Sequence, residues 1–280
     1  MGVLMKGADV ANAMKEELVE KVKCLREKGI VPCLAIVRVG GRADDLSYER
    51  GARKRMEMLG ISCRVIELAE DIEQKEFERE FDKVNNDPLV HGILLFRPLP
   101  KHLDEEVIKT VIDPEKDVDG MSLINIAKVF AGDDSGYAPC TAEAVMKMLE
   151  HYELELKGKR VTVVGRSMVV GRPLAMMLLQ KHATVTICHT RTRELAKTCR
   201  EAEILIAAAG KSRMITSDMV GEGAIVADVG INVDELGNLC GDVDFDAVES
   251  RTSYISPVPR GVGGITTSVL AEHVVRAAGK

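Results

Sequence analysis

What this 280-residue chain lacks narrows its class before any motif is read. No apolar run approaches membrane-spanning length, so a spanning helix is not predicted. The seven cysteines (positions 24, 33, 63, 140, 188, 199 and 240) are odd in number and form no CxxC. That spacing suggests neither a disulfide framework nor a zinc ribbon, and no metal is predicted. Reduced packing residues of a cytosolic protein read this way. Positive charge is not in excess: 38 Lys+Arg against 44 Asp+Glu leave a net −6, which gives no support to nucleic-acid binding as a main activity. The opening MGVLMKGADV lacks the apolar core of a signal peptide, and Lys6 stands where a myristoylation motif needs a hydroxyl residue. The predicted compartment is the cytoplasm. Repeats, low-complexity segments and coiled-coil heptads are missing as well.

What is present is a globular composition, 46% hydrophobic and 29% charged, on a chain long enough for two domains. The stretch 161–179, VTVVGRSMVVGRPLAMMLL, organises the rest. It reads as a buried strand over Val161–Val164, a turn framed by Gly165 and Gly171, and a helix opened by Pro173 at its first position. Such a unit aims backbone N–H groups and the positive end of a helix dipole at the turn, which favours a phosphate. Arg166 and Ser167 occupy the place of a second glycine, so this is not the standard dinucleotide fingerprint. The next predicted strand, Thr184–Cys188, runs into His189-Thr190-Arg191-Thr192-Arg193. An NAD site would place an acidic residue there for the ribose 2′-hydroxyl, whereas a cationic, hydroxyl-rich end suits a 2′-phosphate and therefore NADP. An ordinary βαβ unit with solvated arginines would look the same locally.

Along the chain, Val10, Met14, Leu18, Val22 and Leu25 predict a helix over Ala8–Lys28. Cys33–Val39 and Val90–Phe96 are apolar runs of the kind buried on both faces, with strand alternation at Ile61–Leu68 between them. Helices are predicted at Ser47–Leu59 and from a capping box at Asp71 and Gln74 to about Asn85. This β-α-β-α-β order predicts a parallel sheet covered by helices on both faces. Leu103–Ile112 is helical, Thr141 is predicted to cap a helix to about His151, and strands follow near 203–208 and 224–229. The fold class is two α/β domains, with the change in or just before 141–151. The tail 266–280 is a helix too short to stand alone, so it must dock.

Seven stretches then resemble one family, the methylenetetrahydrofolate dehydrogenase/methenyltetrahydrofolate cyclohydrolase enzymes of FolD type. They are GILLFRPLP (92–100), PEKDVDG (114–120), APCTAEAV (138–145), VGRSMVVGRP (164–173), VADVGIN (226–232), GDVDF (241–245) and YISPVPRGVGGITT (254–267). The resemblance implies a folate-binding catalytic domain over 1–140 with the last helix 267–280, a Rossmann-type NADP-binding domain over 141–266, and a cleft between them. It implies tetrahydrofolate one-carbon derivatives as substrates and a homodimer joined through the cofactor domains. On the cofactor side it implies that Gly165, Arg166, Ser167 and Thr190 hold NADP phosphates and ribose and that Ile231 touches the nicotinamide end. Gly171 and Arg191 join them through the glycine turn and the cationic strand end. On the folate side it implies pterin binding by Asp119, with Tyr48, Phe96 and Pro259 also lining the site; Tyr48 and Asp119 are the candidate catalytic residues.

Two positions depart from the family. A lysine one helical turn after the tyrosine pairs with it for the hydrolytic step, but here that position is Ala52; Lys54 lies about 600° round the helix from Tyr48. The glutamine that follows the apolar strand is replaced by Phe96. The expectation is an NADP-dependent dehydrogenase with weak or absent cyclohydrolase activity. The rivals are a bifunctional enzyme in which Arg53, Lys54 or Arg55 substitutes, and a non-catalytic NADP-binding module. Arg260 also stands where the family commonly has glycine.

Overall fold

The computed structural model describes residues 2–280. The first described elements are β1 (Val3–Leu4), α1 (Gly7–Glu27), β2 (Cys33–Val39), α2 (Ala43–Leu59), β3 (Ser62–Leu68), α3 (Gln74–Asn85) and β4 (Gly92–Leu95). Three helices follow, α4 (Glu105–Val111), α5 (Leu123–Ala131) and α6 (Cys140–His151). Next come β5 (Arg160–Val164), α7 (Gly171–Gln180), β6 (Thr184–Cys188), α8 (Leu195–Arg200), β7 (Ile204–Ala207) and β8 (Ala224–Asp228). The chain closes with a hairpin of β9 (Asn232–Val233) and β10 (Leu239–Cys240), then α9 (Phe245–Val248), β11 (Thr252–Ile255) and α10 (Thr266–Ala278). None of the described helices is long and apolar enough to cross a membrane.

The described chain divides into two compact units, one of 13–140 with 267–280, the other of 141–266 with the segment ending at Asn12. Sequence reading put 1–140 together. The N-terminal segment groups instead with 141–266 because β1 pairs in parallel with β11 and Met5 N donates to Ile255 O.

In the first unit the described strands form a parallel sheet in the order β3-β2-β4. Every residue of β2 is buried, as its unbroken apolar run requires when helices cover both faces. Phe77 and Phe81 from α3 and Ile108 from α4 pack against Val37, Ile93 and Leu95. The tail helix α10 closes this core. A Cβ at Gly92 would crowd Val118 and Val274, so glycine is what lets α10 and the 114–120 loop approach the start of β4. His273 on α10 also meets Val118 O through Nδ1 at 2.8 Å.

In the second unit six of the described strands form a sheet in the order β1-β11-β8-β7-β5-β6, all its pairs parallel, apart from the antiparallel β9-β10 hairpin. The chain leaves β5 to build β6 on one side and β7 on the other. The carboxyl ends of β5 and β7 are therefore a topological switch point, where loops diverge and open α/β sheets take ligands.

Several local expectations need correction. The Asp71/Gln74 capping box does not form: Glu73 is the N-cap of α3 without a side-chain bond, and Gln74 instead donates to Glu78 and accepts from Asp104 N. α2 begins four residues earlier than predicted, and α6 begins at Cys140, which puts Thr141 inside the first turn. Pro173 is the third residue of α7, still within the first turn whose N–H groups have no helical partner.

Candidate functional site

On the folate side, α2 carries Tyr48 and presents Glu49, Ala52, Met56 and Leu59 as its buried face. Glu49 is held there by Arg38 of β2, whose Nε lies 2.9 Å from Glu49 Oε2 while Nη2 lies 2.7 Å from Glu67 Oε2. This ion network fixes the rotation of α2. One turn beyond Tyr48, Ala52 is 0% exposed. The tyrosine ring stands edge-on to Phe96, with centroids 5.9 Å apart and planes at 76°. Lys54 and Arg53 are exposed, and Arg53 Nη1 faces Glu49 Oε1 at 3.5 Å. Arg55, half-buried, lies two turns from Tyr48, about 10 Å along the axis. The helix is continuous from 43 to 59, so no shift brings these cations one turn from Tyr48.

Asp119 is carried by the loop after α4, and two features set its place. At Gly120, φ is +64° and a Cβ would lie 2.5 Å from Tyr137 O, so only glycine fits where the two backbones meet. The fully buried Asp117 ties the loop from inside: Oδ1 accepts from Met121 N at 3.0 Å, and Oδ2 accepts from Ser122 N and Asn125 Nδ2, each at 2.8 Å. Asp119 Oδ1 accepts from Cys140 N at 3.4 Å, and Oδ2 pairs with Arg97 Nη2 at 3.5 Å. Burial pushes its carboxyl up, while Arg97 and the thiol and N–H of Cys140 pull against it. Sequence reading missed Asp117 and Arg97. The available signals were the acid two before Asp119 with Ser-x-x-Asn after it, and a cation directly following an apolar strand.

In the cofactor unit, Gly165 follows β5 with φ +136°, and its N donates to Cys188 O at 2.9 Å. A Cβ here would collide with Ala208 O, and one on Gly171 would collide with Gly165 O. The turn at the switch point is thus a cradle of bare backbone that admits no side chain at either glycine. Ser167 Oγ accepts from Val170 N at 3.1 Å, which shapes the entry to α7, and Arg166 is exposed beside it. After β6, His189 N donates to Thr192 Oγ1 at 2.8 Å and Arg191 N to His189 Nδ1 at 3.1 Å, leaving the Thr190 and Arg191 side chains exposed. These residues are drawn from both strand ends that flank the turn.

Ile231 and Pro259 come together in the same unit, lining a cavity of about 140 Å³ with Asp228, Gly230 and Arg260. Two buried aspartates that sequence reading passed over shape this end of the sheet. Asp228 accepts from Gly230 N, Asp242 N and Val243 N at 2.9–3.1 Å. Asp242 accepts from Ala209 N, Gly210 N and Lys211 N and from Asn232 Nδ2. Pro259 belongs to this unit, whereas Tyr48, Phe96 and Asp119 belong to the other. Among the described residues no His/Cys/Asp/Glu group has metal-site geometry.

Comparison with known proteins bears directly on this arrangement. Residues 5–119 match the family model described as the tetrahydrofolate dehydrogenase/cyclohydrolase catalytic domain, and residues 139–280 match that of its NAD(P)-binding domain. The chain belongs to the tetrahydrofolate dehydrogenase/cyclohydrolase family. Among curated members it is 59% identical over 276 residues to the Bifunctional protein FolD of Clostridioides difficile, covering 99% of this chain and 96% of that one. The corresponding protein of Alkaliphilus oremlandii is 53% identical, with 99% and 97% covered. Among solved structures, the bifunctional FolD enzyme of Campylobacter jejuni aligns with TM-score 0.97 and 43% identity, covering 100% and 99%. The Trypanosoma brucei dehydrogenase-cyclohydrolase, solved with NADP cofactor and inhibitor, aligns at 0.93 with 35% identity, covering 99% and 97%. The family's cofactor model runs to residue 280, yet the final helix α10 packs with 13–140.

Proposed function

We propose that this chain is an NADP-dependent methylenetetrahydrofolate dehydrogenase whose methenyltetrahydrofolate cyclohydrolase activity is weak or absent. In this reading 13–140 with α10 bind the folate and 141–266 hold the cofactor. The bare glycine cradle fits a phosphate, and the absence of an acid between Cys188 and Arg193 fits a 2′-phosphate. Gly165, Arg166, Ser167, Gly171, Thr190 and Arg191 would hold phosphates and ribose, with Ile231 at the nicotinamide end. When bound, NADP supplies the hydride acceptor.

Oxidation of the one-carbon bridge makes few demands on protein acid or base. The C–H bond breaks with both electrons as a ring-nitrogen lone pair moves in, leaving a methenyl cation, so no proton has to be removed. Placement is what the chain must supply. Asp119 accepts paired hydrogen bonds from the pterin, and Tyr48, Phe96 and Pro259 bound the substrate.

Hydrolysis of the methenyl cation differs, because water must add to the carbon and give up a proton. Help with such a transfer is typically worth about 10²–10⁴-fold. The observation that carries the proposal is a buried methyl group, Ala52, one turn from Tyr48, together with an aromatic ring at Phe96 where a hydrogen-bonding side chain would serve. Arg97 cannot stand in as a base, since a guanidinium keeps its proton. A fully bifunctional enzyme is the second reading, favoured by the curated name of the 59% identical relative. Following methenyltetrahydrofolate absorbance with purified protein separates them: loss no faster than in buffer is expected, alongside NADP reduction by methylenetetrahydrofolate. Hydrolysis well above the buffer rate makes the enzyme bifunctional. Cofactor binding without reduction leaves only a binding module.

The same reading includes a homodimer through the cofactor units and a cytoplasmic setting. The first is supported by the unpaired outer edge of β6, where Ile187 is exposed, and by exposed Leu179 on α7. The second is supported by seven free thiols.

A further inference from the structure

Arg97 directly follows the apolar run 92–96 and is only 19% exposed, so it is not one of the solvated surface pairs that contribute little. Its backbone oxygen accepts from Arg42 Nη2 at 3.1 Å. The guanidinium spans two carboxylates: Nη1 lies 3.4 Å from Glu105 Oε1 and Nη2 lies 3.5 Å from Asp119 Oδ2. Glu105 is in turn faced by Lys109 Nζ at 3.4 Å. A planar, permanently charged fork held on one side by Glu105 thus presents its other side to Asp119.

An ionised carboxylate offers about four lone-pair positions. In Asp119 Oδ1 takes the Cys140 N–H, the Cys140 thiol also bonds the carboxylate, and Oδ2 faces Arg97 at 3.5 Å, so protein groups on two sides fix the plane of the carboxylate. Paired N–H donors need a carboxylate whose plane is held in one orientation. We infer that Arg97 is a positioning residue for Asp119, holding its carboxylate in the orientation that receives the paired N–H donors of the substrate's ring. This role rests on the folate-site reading of Asp119.

The electrostatics point the same way. Burial and, less strongly, the neighbouring Asp117 raise the Asp119 carboxyl, whereas Arg97 and then the thiol and N–H of Cys140 lower it. Without Arg97 the group takes up a proton at higher pH, and a protonated carboxyl loses an acceptor to its own O–H. The charged groups facing it are Arg97 after β4 and Asp117 on its own loop, with Glu105 and Lys109 of α4 behind Arg97. Substrate affinity on the acid side therefore fails at higher pH once Arg97 is removed.

The test compares Arg97→Met, Arg97→Lys, Glu105→Gln, Asp119→Asn and the Arg97→Met/Asp119→Asn double variant in full-length protein. Arg97→Met is expected to raise KM for methylenetetrahydrofolate about ten-fold, the scale of one lost charged hydrogen-bonding partner, with kcat changed far less. NADP affinity should stay unchanged, the acid limb of kcat/KM should move to higher pH, and Arg97→Lys should recover part of the loss. Glu105→Gln, which frees the guanidinium without touching Asp119, should give a smaller rise of the same kind. In the double variant the Arg97 effect should vanish, because there is no carboxylate left to position. An unchanged KM and acid limb in Arg97→Met, or effects that simply multiply in the double variant, overturn the assignment. Calorimetric binding of tetrahydrofolate to the same proteins keeps this failure apart from that of the dehydrogenase reading: wild type that binds but does not reduce NADP sinks the reading, while equal binding by wild type and Arg97→Met sinks the role of Arg97.

Discussion

At the scale of single residues, the contrast between Tyr48 and Ala52 governs the proposed chemistry. Both lie on one stripe of α2, yet one ends in a phenol and the other in a methyl group packed out of solvent. Ala52→Lys alone puts an ammonium into a buried position one turn from an aromatic pair. That variant is expected to lose about 1–3 kcal/mol of stability, read by thermal unfolding. Ala52→Lys with Phe96→Gln gives the cation a polar neighbour and is expected to raise methenyltetrahydrofolate hydrolysis about a hundred-fold or more, with little change in NADP reduction. Hydrolysis unmoved by the pair would mean that the departure at 52 and 96 is not what limits the step. The resemblance to the family marked this pair of changes, and helical spacing placed Ala52 on the face of Tyr48. Neither exposed Arg97, whose contacts with Glu105 and Asp119 join residues 8 and 22 positions away across different elements.

At the scale of elements, the loops at the carboxyl end of β8 are assembled around Asp228 and Asp242 rather than around an apolar contact. A Cβ on Gly230 would collide with the Asp242 carboxylate and one on Gly241 with that of Asp228, so both glycines are required by the carboxylates they surround. Burial pushes Asp228 up to about 7, with the charge of Asp242 adding to it and the N–H groups of Val243, Asp242 and Gly230 opposing. A group raised in the folded state binds more protons there than in the unfolded chain. Its contribution to stability is therefore full below the ordinary carboxylate range and is lost as pH rises through about 7. Unfolding free energy measured from about pH 4 to pH 7 should fall with a component approaching 1.4 kcal/mol per pH unit that levels off above about pH 7, and Asp228→Asn should lack that component. A profile identical in both proteins would place the titrating proton elsewhere. Element boundaries were legible only where local signals stood alone. Gly60 ends α2 in the left-handed conformation, as glycines do after a helix, whereas Gln74, which invited a capping box, was drawn off by Glu78 and Asp104.

At the scale of the whole molecule, the β6 edge of the larger sheet is the surface with a consequence for assembly. An open edge bearing exposed Ile187 invites pairing with a second copy. Sedimentation is expected to give a dimer for the wild type and to shift toward monomer for Ile187→Asp, which sets charges against each other on the edge; a monomeric wild type would remove this part of the proposal. By itself, the amino-acid order determined the alternation of strands and helices, the buried runs of β2 and β5, the glycine turn after β5 and the place of Ala52 one turn from Tyr48, since each is written in neighbouring residues or in one helical period. Only tertiary structure decided that the segment ending at Asn12 joins 141–266, that α10 closes the core of 13–140, and that Arg97, Asp117 and Asp228 are enclosed with the groups they hold. Those outcomes depend on contacts between residues far apart in the chain, and periodicity carries no record of which distant partner will arrive.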